Sequence, residues 1–363
     1  MARPRFNIHY KLVNLISVIL IAMQPQENIS LKGYSTMRLG GMAKYLQQIN
    51  NINDIETALN WAESNKIANV IMIGAGSNII WQDSGYDGLV LVNNIKGVEF
   101  QEQGDGSFLT IGAGEVWDDI VEQTTNKNLS GIEQLSLIPG LAGATPVQNV
   151  GAYGREIKDV LVCVQAYDKL EKKMVTIPKI DCDLDYRTSR FKTKDKGRFF
   201  ITSVTLTLSN KPPMPPFYSA VQNYLNEHEI KQYTPTAIRQ AVIDIRSNKL
   251  PDPREVANCG SFFTNPFIPR MQLEELKEQY PGIVYWDVSD DTVKISAAWM
   301  MEALGLKGYH EPTTGMAVWE KQPLVLVNER ASSTASLIAF RDAILQAAKK
   351  KFDVDLVQEP EII

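Results

Sequence analysis

Glycines and side-chain amides set among apolar residues mark the part of this chain best suited to hold a ligand. Leu135–Gly154 reads LSLIPGLAGATPVQNVGAYG, with Gly140, Gly143, Gly151 and Gly154 in an uncharged run that ends only at Arg155. Glycine lets a backbone come close to a ligand, because it lacks a Cβ and accepts φ > 0. Gln148 and Asn149 add amide donors and acceptors of the kind that read a heterocycle edge. A set of buried turns with no ligand accounts for the composition equally well. A second cluster, Ile71–Asn78 or IMIGAGSN, follows a strand-like run. A strand feeding a glycine turn with a Ser/Asn exit presents several backbone N–H groups together, a cradle for phosphate or pyrophosphate. The dinucleotide fingerprint G-x-G-x-x-G is not met, since Ile79 stands where a third glycine would follow Gly74 and Gly76. Thr36–Gly41, TMRLGG, is a third such turn. Turns spread from Thr36 to Gly154 imply a long ligand that crosses several loops.

Such turns need a scaffold, and 363 residues suffice for two or three domains with their own cores. A hydrophobic share of 44% with 22% charged residues is ordinary for a globular protein. The net charge of −5 argues against general nucleic-acid binding. Cys163, Cys182 and Cys259 form no C-x-x-C pair, so neither a zinc site nor a disulfide framework is indicated, and a reducing, cytoplasmic compartment fits. His9, His228 and His310 stand far apart, which weakens any histidine-based metal or nucleophile scheme. Residues 1–22 are set off from the rest. Arg3, Arg5 and Lys11 precede the apolar run Leu12–Ala22, which imitates a signal peptide but is too short to span a membrane and lacks a small-residue cleavage site. They read as a dispensable upstream extension.

Helical spacing over Asn53–Lys66 precedes a buried strand at Ala68–Ile73. Phe108–Gly114 reads as a strand ending in a glycine turn before a helix at Glu115–Thr125, and Val160–Tyr167 and Arg198–Leu208 read as further strands. Beyond the stiff KPPMPP of Lys211–Pro216, Phe217–Glu229 and Pro235–Asn248 have helical periodicity, and LPDP at Leu250–Pro253 ends the second. Gln272–Gln279, Ser296–Leu304 and Thr334–Lys351 are helices, Gln322–Asn328 is a strand, and Phe352–Glu361 is a strand expected to return to the amino-terminal domain. The class is α+β.

TMRLGG, GAGSN, LSLIPGLAGATPVQNVGAYG, YRTSRFK, NCGSFFTNP, SAAWMMEALGLKG, QPLVLVN and the final EPE occur in one order, from about Ile29 to Glu361. As a set they resemble the UDP-N-acetylenolpyruvoylglucosamine reductase family, and the segment Phe217–Ile230 resembles its loop-bearing, type I form. The resemblance implies an FAD-binding domain of the PCMH/vanillyl-alcohol-oxidase-like type in two subdomains, residues 23–95 and 96–249. The strand 352–363 would join the first, and a smaller α+β substrate-binding domain would cover residues 250–351. It implies tightly but non-covalently bound FAD, NADPH as co-substrate, and a monomer that binds a UDP-sugar. The implied reaction reduces an enolpyruvyl ether: hydride reaches C3, a proton reaches C2, and an enolate-like charge develops between the steps. Side chains offer no hydride, so a flavin refilled by a reduced nicotinamide must supply it.

Residue by residue, the resemblance gives Ser261 as the proton donor, Arg187 as the cation that steadies the enolate and Glu361 as the third catalytic group. Contacts to the cofactor fall on Thr36, Arg38, Gly40, Gly41, Gly74, Ala75, Gly76, Ser77 and Asn78. They continue over Pro139, Gly140, Gly143, Ala144, Gln148, Asn149, Gly151, Ala152, Tyr153 and Gly154. Contacts to the UDP-sugar fall on Tyr218, Arg246, Lys249, Asn265 and Gln322, with Arg246 and Lys249 one helical turn apart and able to face one phosphate pair. Cys259 beside Ser261 reads as a packing residue, since no step needs covalent catalysis. No metal is implied. A flavin oxidase or dehydrogenase of the same fold is the alternative, but it has no reason to keep Ser261, Lys249 and Gln322 together. A silent flavin-binding regulator would be expected to lose Arg187, Ser261 or Glu361.

Overall fold

The computed structural model describes residues 24–363, so the extension over residues 1–22 lies outside the described residues. The first unit is a four-stranded sheet in the order Gln26–Ser30, Met42–Ile49, Tyr86–Asn93, Val70–Ile73. Its last three strands are parallel. Leu89, Val90 and Leu91 are all fully buried, as expected of a parallel strand covered on both faces. The helix Ile52–Ser64 covers one face. It begins at a capping box in which the Asn51 side chain accepts from Asp54 N–H and the Asp54 carboxylate accepts from Asn51 N–H. Ile55, Ala58 and Ala62 line its buried side against Ile49, Leu89 and Leu91.

The second unit is a five-stranded antiparallel sheet, ordered Lys173–Pro178, Leu161–Asp168, Phe199–Ser209, Gly106–Gly112, Val98–Gln103. The helix Trp117–Asn126 packs Trp117, Ile120 and Val121 into its core with Leu109, Val164 and Val204. Two further helices, Ser219–Glu227 and Pro235–Lys249, lie on this side of the molecule. Arg239 of the longer one reaches the Asp118 carboxylate at 2.6 and 3.0 Å.

The last unit holds a four-stranded sheet (Ala257–Ser261, Val325–Asn328, Met316–Val318, His310–Glu311) and a three-stranded one (Phe267–Pro269, Thr292–Ile295, Tyr285–Asp287). The helix Thr334–Phe352 buries Leu337, Phe340, Ile344 and Ala348 against Ile295, Met300 and Met301. Its amino terminus is capped from the first unit: Asp83 accepts Thr334 N–H at 2.7 Å and Ala335 N–H at 2.9 Å, a carboxylate at the positive end of a helix.

Most elements stand where periodicity places them, with ends shifted by one to a few residues. Two differ in kind. Gln322–Asn328 is a strand only from Val325, because Pro323 turns the chain and Val325 N–H closes on Gln322 O at 3.0 Å. Phe352–Glu361 is not one strand. The long helix runs through Phe352, Asp353 turns left-handed at φ 52°, and two short strands follow. Val357–Gln358 pairs antiparallel with Phe263–Thr264, and Glu361–Ile362 runs parallel to Ile79–Ile80. Pro360 between them has no N–H to continue a ladder, and the change of partner happens there. Phe352, Val354 and Leu356 pack in the last unit's core, so only Glu361–Ile363 joins the first unit.

Candidate active site

The three glycine turns meet. Thr36 N–H donates to Gly76 O at 3.0 Å, Ser77 Oγ donates to Pro139 O at 3.1 Å, and the Asn78 amide donates to Gln148 Oε1. Many of the glycines serve this meeting rather than an open surface. A Cβ on Gly76 would lie 2.1 Å from Tyr34 O, on a backbone with φ 70°. Gly40, Gly41 and Gly143 are likewise closed off by Trp81, Asp83 and Ala113. Gly154 differs: it is exposed, and its nearest neighbour would be Tyr218 Cβ at 3.9 Å. Ala75, Pro139 and Ala144 are exposed with it, while Gly74, Gly140, Gly151, Ala152 and Tyr153 are half-buried. The result is a joined rim of small residues and backbone, which fits an extended dinucleotide lying along it.

The side chains of two cofactor candidates are engaged within the protein. Asn149 is fully buried and its amide is consumed: Nδ2 donates to Glu156 Oε2 and Asp185 O at 3.0 Å each, and Oδ1 accepts Lys158 N–H at 3.0 Å. This amide ties the glycine loop to the loop that carries Arg187. The Arg38 guanidinium donates to Pro253 O at 2.9 Å and to Arg254 O. Its place is the junction with the last unit. Gln148, bonded to Asn78, joins two loops.

The corner that holds the catalytic candidates is built where the last unit meets this rim. Asn258 N–H donates to Thr36 O at 3.1 Å, which lays the strand Ala257–Ser261 along the first glycine turn. The strand ends at Ser261 after an irregularity in its pairing and a left-handed Gly260, φ 70°. Phe262 and Phe263 are buried behind it with rings edge-on at 5.2 Å, and the Gln322 turn lies beside it through Phe262 N–H to Leu324 O, 2.7 Å. Cys259 is buried, and burial pushes its thiol up to about 12.

Arg187 sits left-handed (φ 54°) and donates from Nη2 to Gly151 O at 2.7 Å. Its ion-pair partner is Glu359, at 3.5 Å, and not Glu361. Glu361 instead pairs with Lys196, while its N–H donates to Asn78 O at 3.0 Å. Lys192 Nζ reaches Glu359 O at 3.4 Å; burial lowers its pKa, partly offset by Glu359 and Glu361. Burial raises the Glu359 carboxyl while Arg187 and Lys192 oppose that.

The substrate candidates flank this corner. Tyr218 begins the helix Ser219–Glu227 and meets Tyr153 edge-on at 5.8 Å. Burial raises the Tyr153 phenol, and the Arg246 charge beside it pulls back. Arg246 has a buried Nε with no partner among the described residues. Lys249 is pulled down by burial and lies in the fields of Glu302 and Lys307. Asn265 accepts Ala297 N–H at 3.0 Å, at the start of a helix. Reasoning from sequence missed Lys294, whose ammonium lies over the Tyr186 ring at 4.6 Å. Its signal was legible: Val293 and Ile295 are buried on either side, so strand alternation puts Lys294 on the opposite face.

Residues 252–363 match the family model for UDP-N-acetylenolpyruvoylglucosamine reductase, C-terminal domain, and residues 43–172 match that for an FAD binding domain. The UDP-N-acetylenolpyruvoylglucosamine reductase of Pseudomonas putida is 36% identical over 343 residues, covering 94% of this chain and 100% of its own. The chain belongs to the UDP-N-acetylenolpyruvoylglucosamine reductase family. The enzyme of that name from Bacteroides fragilis is 38% identical over 292 residues, 80% of this chain and 86% of its own. The solved UDP-N-acetylenolpyruvylglucosamine reductase of Thermus caldophilus shares the fold with a TM-score of 0.63 at 20% identity, over 93% of this chain and 99% of that one. As a reductase of this family the chain is an FAD-dependent oxidoreductase of peptidoglycan precursor synthesis. Among the described residues no helix is long and apolar enough to cross a membrane, and no group of three His, Cys, Asp or Glu could hold a metal ion.

Proposed function

We propose that this reductase converts UDP-N-acetylglucosamine enolpyruvate to UDP-N-acetylmuramate, with Ser261, Arg187 and Glu361 at the reacting centre. When bound along the rim of the three loops, FAD supplies the hydride, refilled from NADPH. The observation that carries the reading is the meeting of the Ser261 strand, the Arg187 loop and the tail Glu359–Glu361 at the edge of the glycine loop. Arg187 grips the substrate carboxylate and offsets the charge that develops next to it, a task suited to a planar guanidinium that stays protonated. Ser261 Oγ delivers the proton to C2. A serine hydroxyl is a weak acid, and the cations Arg187 and Lys192 are the groups that ease its loss of a proton. Glu361, held at Asn78 beside Lys196, polarises the donor from the cofactor side.

On this reading the half-buried Arg246 supplies its guanidinium charge to the diphosphate, with Lys249, Asn265 and Gln322 completing the hold, and Tyr218 folds over the sugar as in the loop-bearing form. Residues 23–95 and 96–249 form the flavin-binding halves, residues 250–351 take the UDP-sugar, and the enzyme works as a cytoplasmic monomer. Its three cysteines are free, in keeping with a reducing compartment. The test is to mix purified protein with UDP-N-acetylglucosamine enolpyruvate and NADPH and follow nicotinamide oxidation. Stoichiometric oxidation with formation of the lactyl ether is expected. Oxidation that proceeds only with dioxygen, whether or not the UDP-sugar is added, sinks the reading.

A further inference from the structure

Glu359 holds no role in the scheme above, yet it touches both sides of the reacting corner. Its N–H donates to Phe262 O at 2.9 Å, one residue beyond Ser261, and its Oε1 lies 3.5 Å from Arg187 Nε. On the far side, Arg187 Nη2 is fixed to Gly151 O at 2.7 Å, and a Cβ on Gly151 would come within 3.1 Å of Nη1. The guanidinium is thus set against the glycine loop and held at two of its nitrogens. Only 12% of the Glu359 side chain and 23% of the Arg187 side chain is exposed. Lys192 reaches the Glu359 carbonyl, and Glu361 is engaged with Lys196. Arg187 is therefore the one cation whose side chain meets the Glu359 carboxylate among the described residues.

We infer that Glu359 is a positioning residue: together with the Gly151 carbonyl it aligns the Arg187 guanidinium so that the remaining N–H groups meet the enolpyruvyl carboxylate already oriented. This rests on the proposed role of Arg187 in the reductase reaction. An arginine side chain free to rotate would have to be ordered by the substrate itself, at the expense of the alignment on which rate depends. Because Glu359 is anchored through Phe262, the alignment also ties Arg187, on the flavin side, to the position of Ser261 on the other.

The test separates positioning from mere stability. In Glu359→Ala, reduction of the flavin by NADPH should run at the wild-type rate, while reoxidation by the enolpyruvyl UDP-sugar slows about ten- to a hundredfold, the loss typical of a misplaced group. Added to Arg187→Ala, the same change should alter reoxidation by less than about twofold, since residues acting as one unit are not additive. Glu359→Gln keeps the shape and an acceptor for Nε–H, and should recover part of the rate. Additive losses, or equal slowing of both half-reactions, overturn the inference. A second measurement is independent of turnover: phenylglyoxal labelling of Arg187, read by peptide mass, should be several-fold faster in Glu359→Ala than in wild type. If the wild-type enzyme is not reoxidised by the UDP-sugar, the reductase reading fails on its own, and unchanged labelling of Arg187 would still refute its restraint by Glu359.

Discussion

Ser261 has little freedom, with a left-handed glycine before it and two buried aromatic rings behind. A hydroxyl so held is worth most as a proton donor at one fixed atom. Ser261→Ala should therefore leave flavin reduction by NADPH close to normal and slow reoxidation by a factor of about 10²–10⁴, the usual loss for a positioned general acid. Stopped-flow traces of the two half-reactions distinguish this from a pocket-shaping role, in which both would slow. Tyr218→Phe removes a hydroxyl from the mouth of the site. If that hydroxyl bonds the diphosphate, UDP-sugar affinity should drop by roughly ten- to a hundredfold, a charged hydrogen bond being worth about 1.5–3 kcal/mol. Unchanged affinity by titration would place the closing residue elsewhere. Cys259, with a thiol pushed up to about 12, should resist iodoacetamide at pH 8 in the folded protein, because only about one molecule in ten thousand would carry the reactive thiolate. Rapid labelling, mapped by mass, would contradict its burial.

At this scale the residue types were legible and the partners were not. Asn149 and Gln148 carry the chemistry expected of ligand-reading amides, but an amide next to φ > 0 backbone also suits the inside of a turn, and Asn149 (φ 47°) is used there. Arg187 announced a carboxylate partner without saying which. Glu359 and Glu361 are two residues apart across a proline, and the chain changes strand partner between them. Each carboxylate therefore meets a different cation, a consequence of tertiary pairing that residue spacing alone does not encode.

Among the elements, the helix Pro235–Lys249 deserves the closest account, because it carries Arg246 and Lys249. Thr234 caps it, and Pro235 opens it, a pairing of start signals plain in the sequence. What fixes it in place was not visible there: Arg239 grips Asp118 with two hydrogen bonds, and Asp118 also accepts Leu137 N–H from the glycine loop. Burial pushes the Asp118 carboxyl up, but Arg239 and the Leu137 amide outweigh it and the net shift is downward. A depressed folded-state value adds stability above the unfolded value of about 3.9, and that stability fades as pH falls through the folded value. Asp118→Asn should thus destabilise the protein by about 3 kcal/mol near pH 7, the toll of leaving a buried arginine unpaired. The gap to wild type should begin to close below about pH 4. Urea melts at the two pH values check this; a gap independent of pH would mean that packing, not charge, holds the helix. Glycine turns were legible as a set, yet Gly76 is glycine because the Tyr34 backbone crowds it and Gly143 because Ala113 does, and such crowding depends on distant chain that no local window contains.

At the scale of the molecule, the tail acts as a strap across a boundary where Met37, Leu39 and Ile80 of the first unit already pack into the core of the last. Gln358 and Val357 pair with Phe263 and Thr264 in the last unit, and Glu361 and Ile362 with Ile79 and Ile80 in the first. Ile363 extends the second grip: its N–H donates to Ile80 O and its carbonyl accepts Gln82 N–H, each at 2.9 Å. The cap from Asp83 onto the helix Thr334–Phe352 is a further link between the same units, beside the bonds from Asn258 to Thr36 and from Arg38 to Pro253. Removing residues 357–363 deletes the strap but leaves the Asp83 cap, the bonds between the three glycine loops and nearly all of the buried core. The truncated protein should remain folded and yellow, since the bonds that join the three loops, Thr36 to Gly76, Ser77 to Pro139 and Asn78 to Gln148, do not use the tail. Its reoxidation by the UDP-sugar should be lost, because Glu359 and Glu361 go together and Arg187 is left with only the Gly151 carbonyl. Thermal unfolding should move to lower temperature, as the boundary between the first and last units loses the hydrogen bonds of the tail. Absorbance of the bound flavin, a half-reaction trace and a calorimetric scan measure the three effects separately. A colourless product would show that the strap shapes the cofactor rim itself, and an unshifted transition would show that the Asp83 cap, the Asn258–Thr36 bond and the shared core hold the units together without the tail.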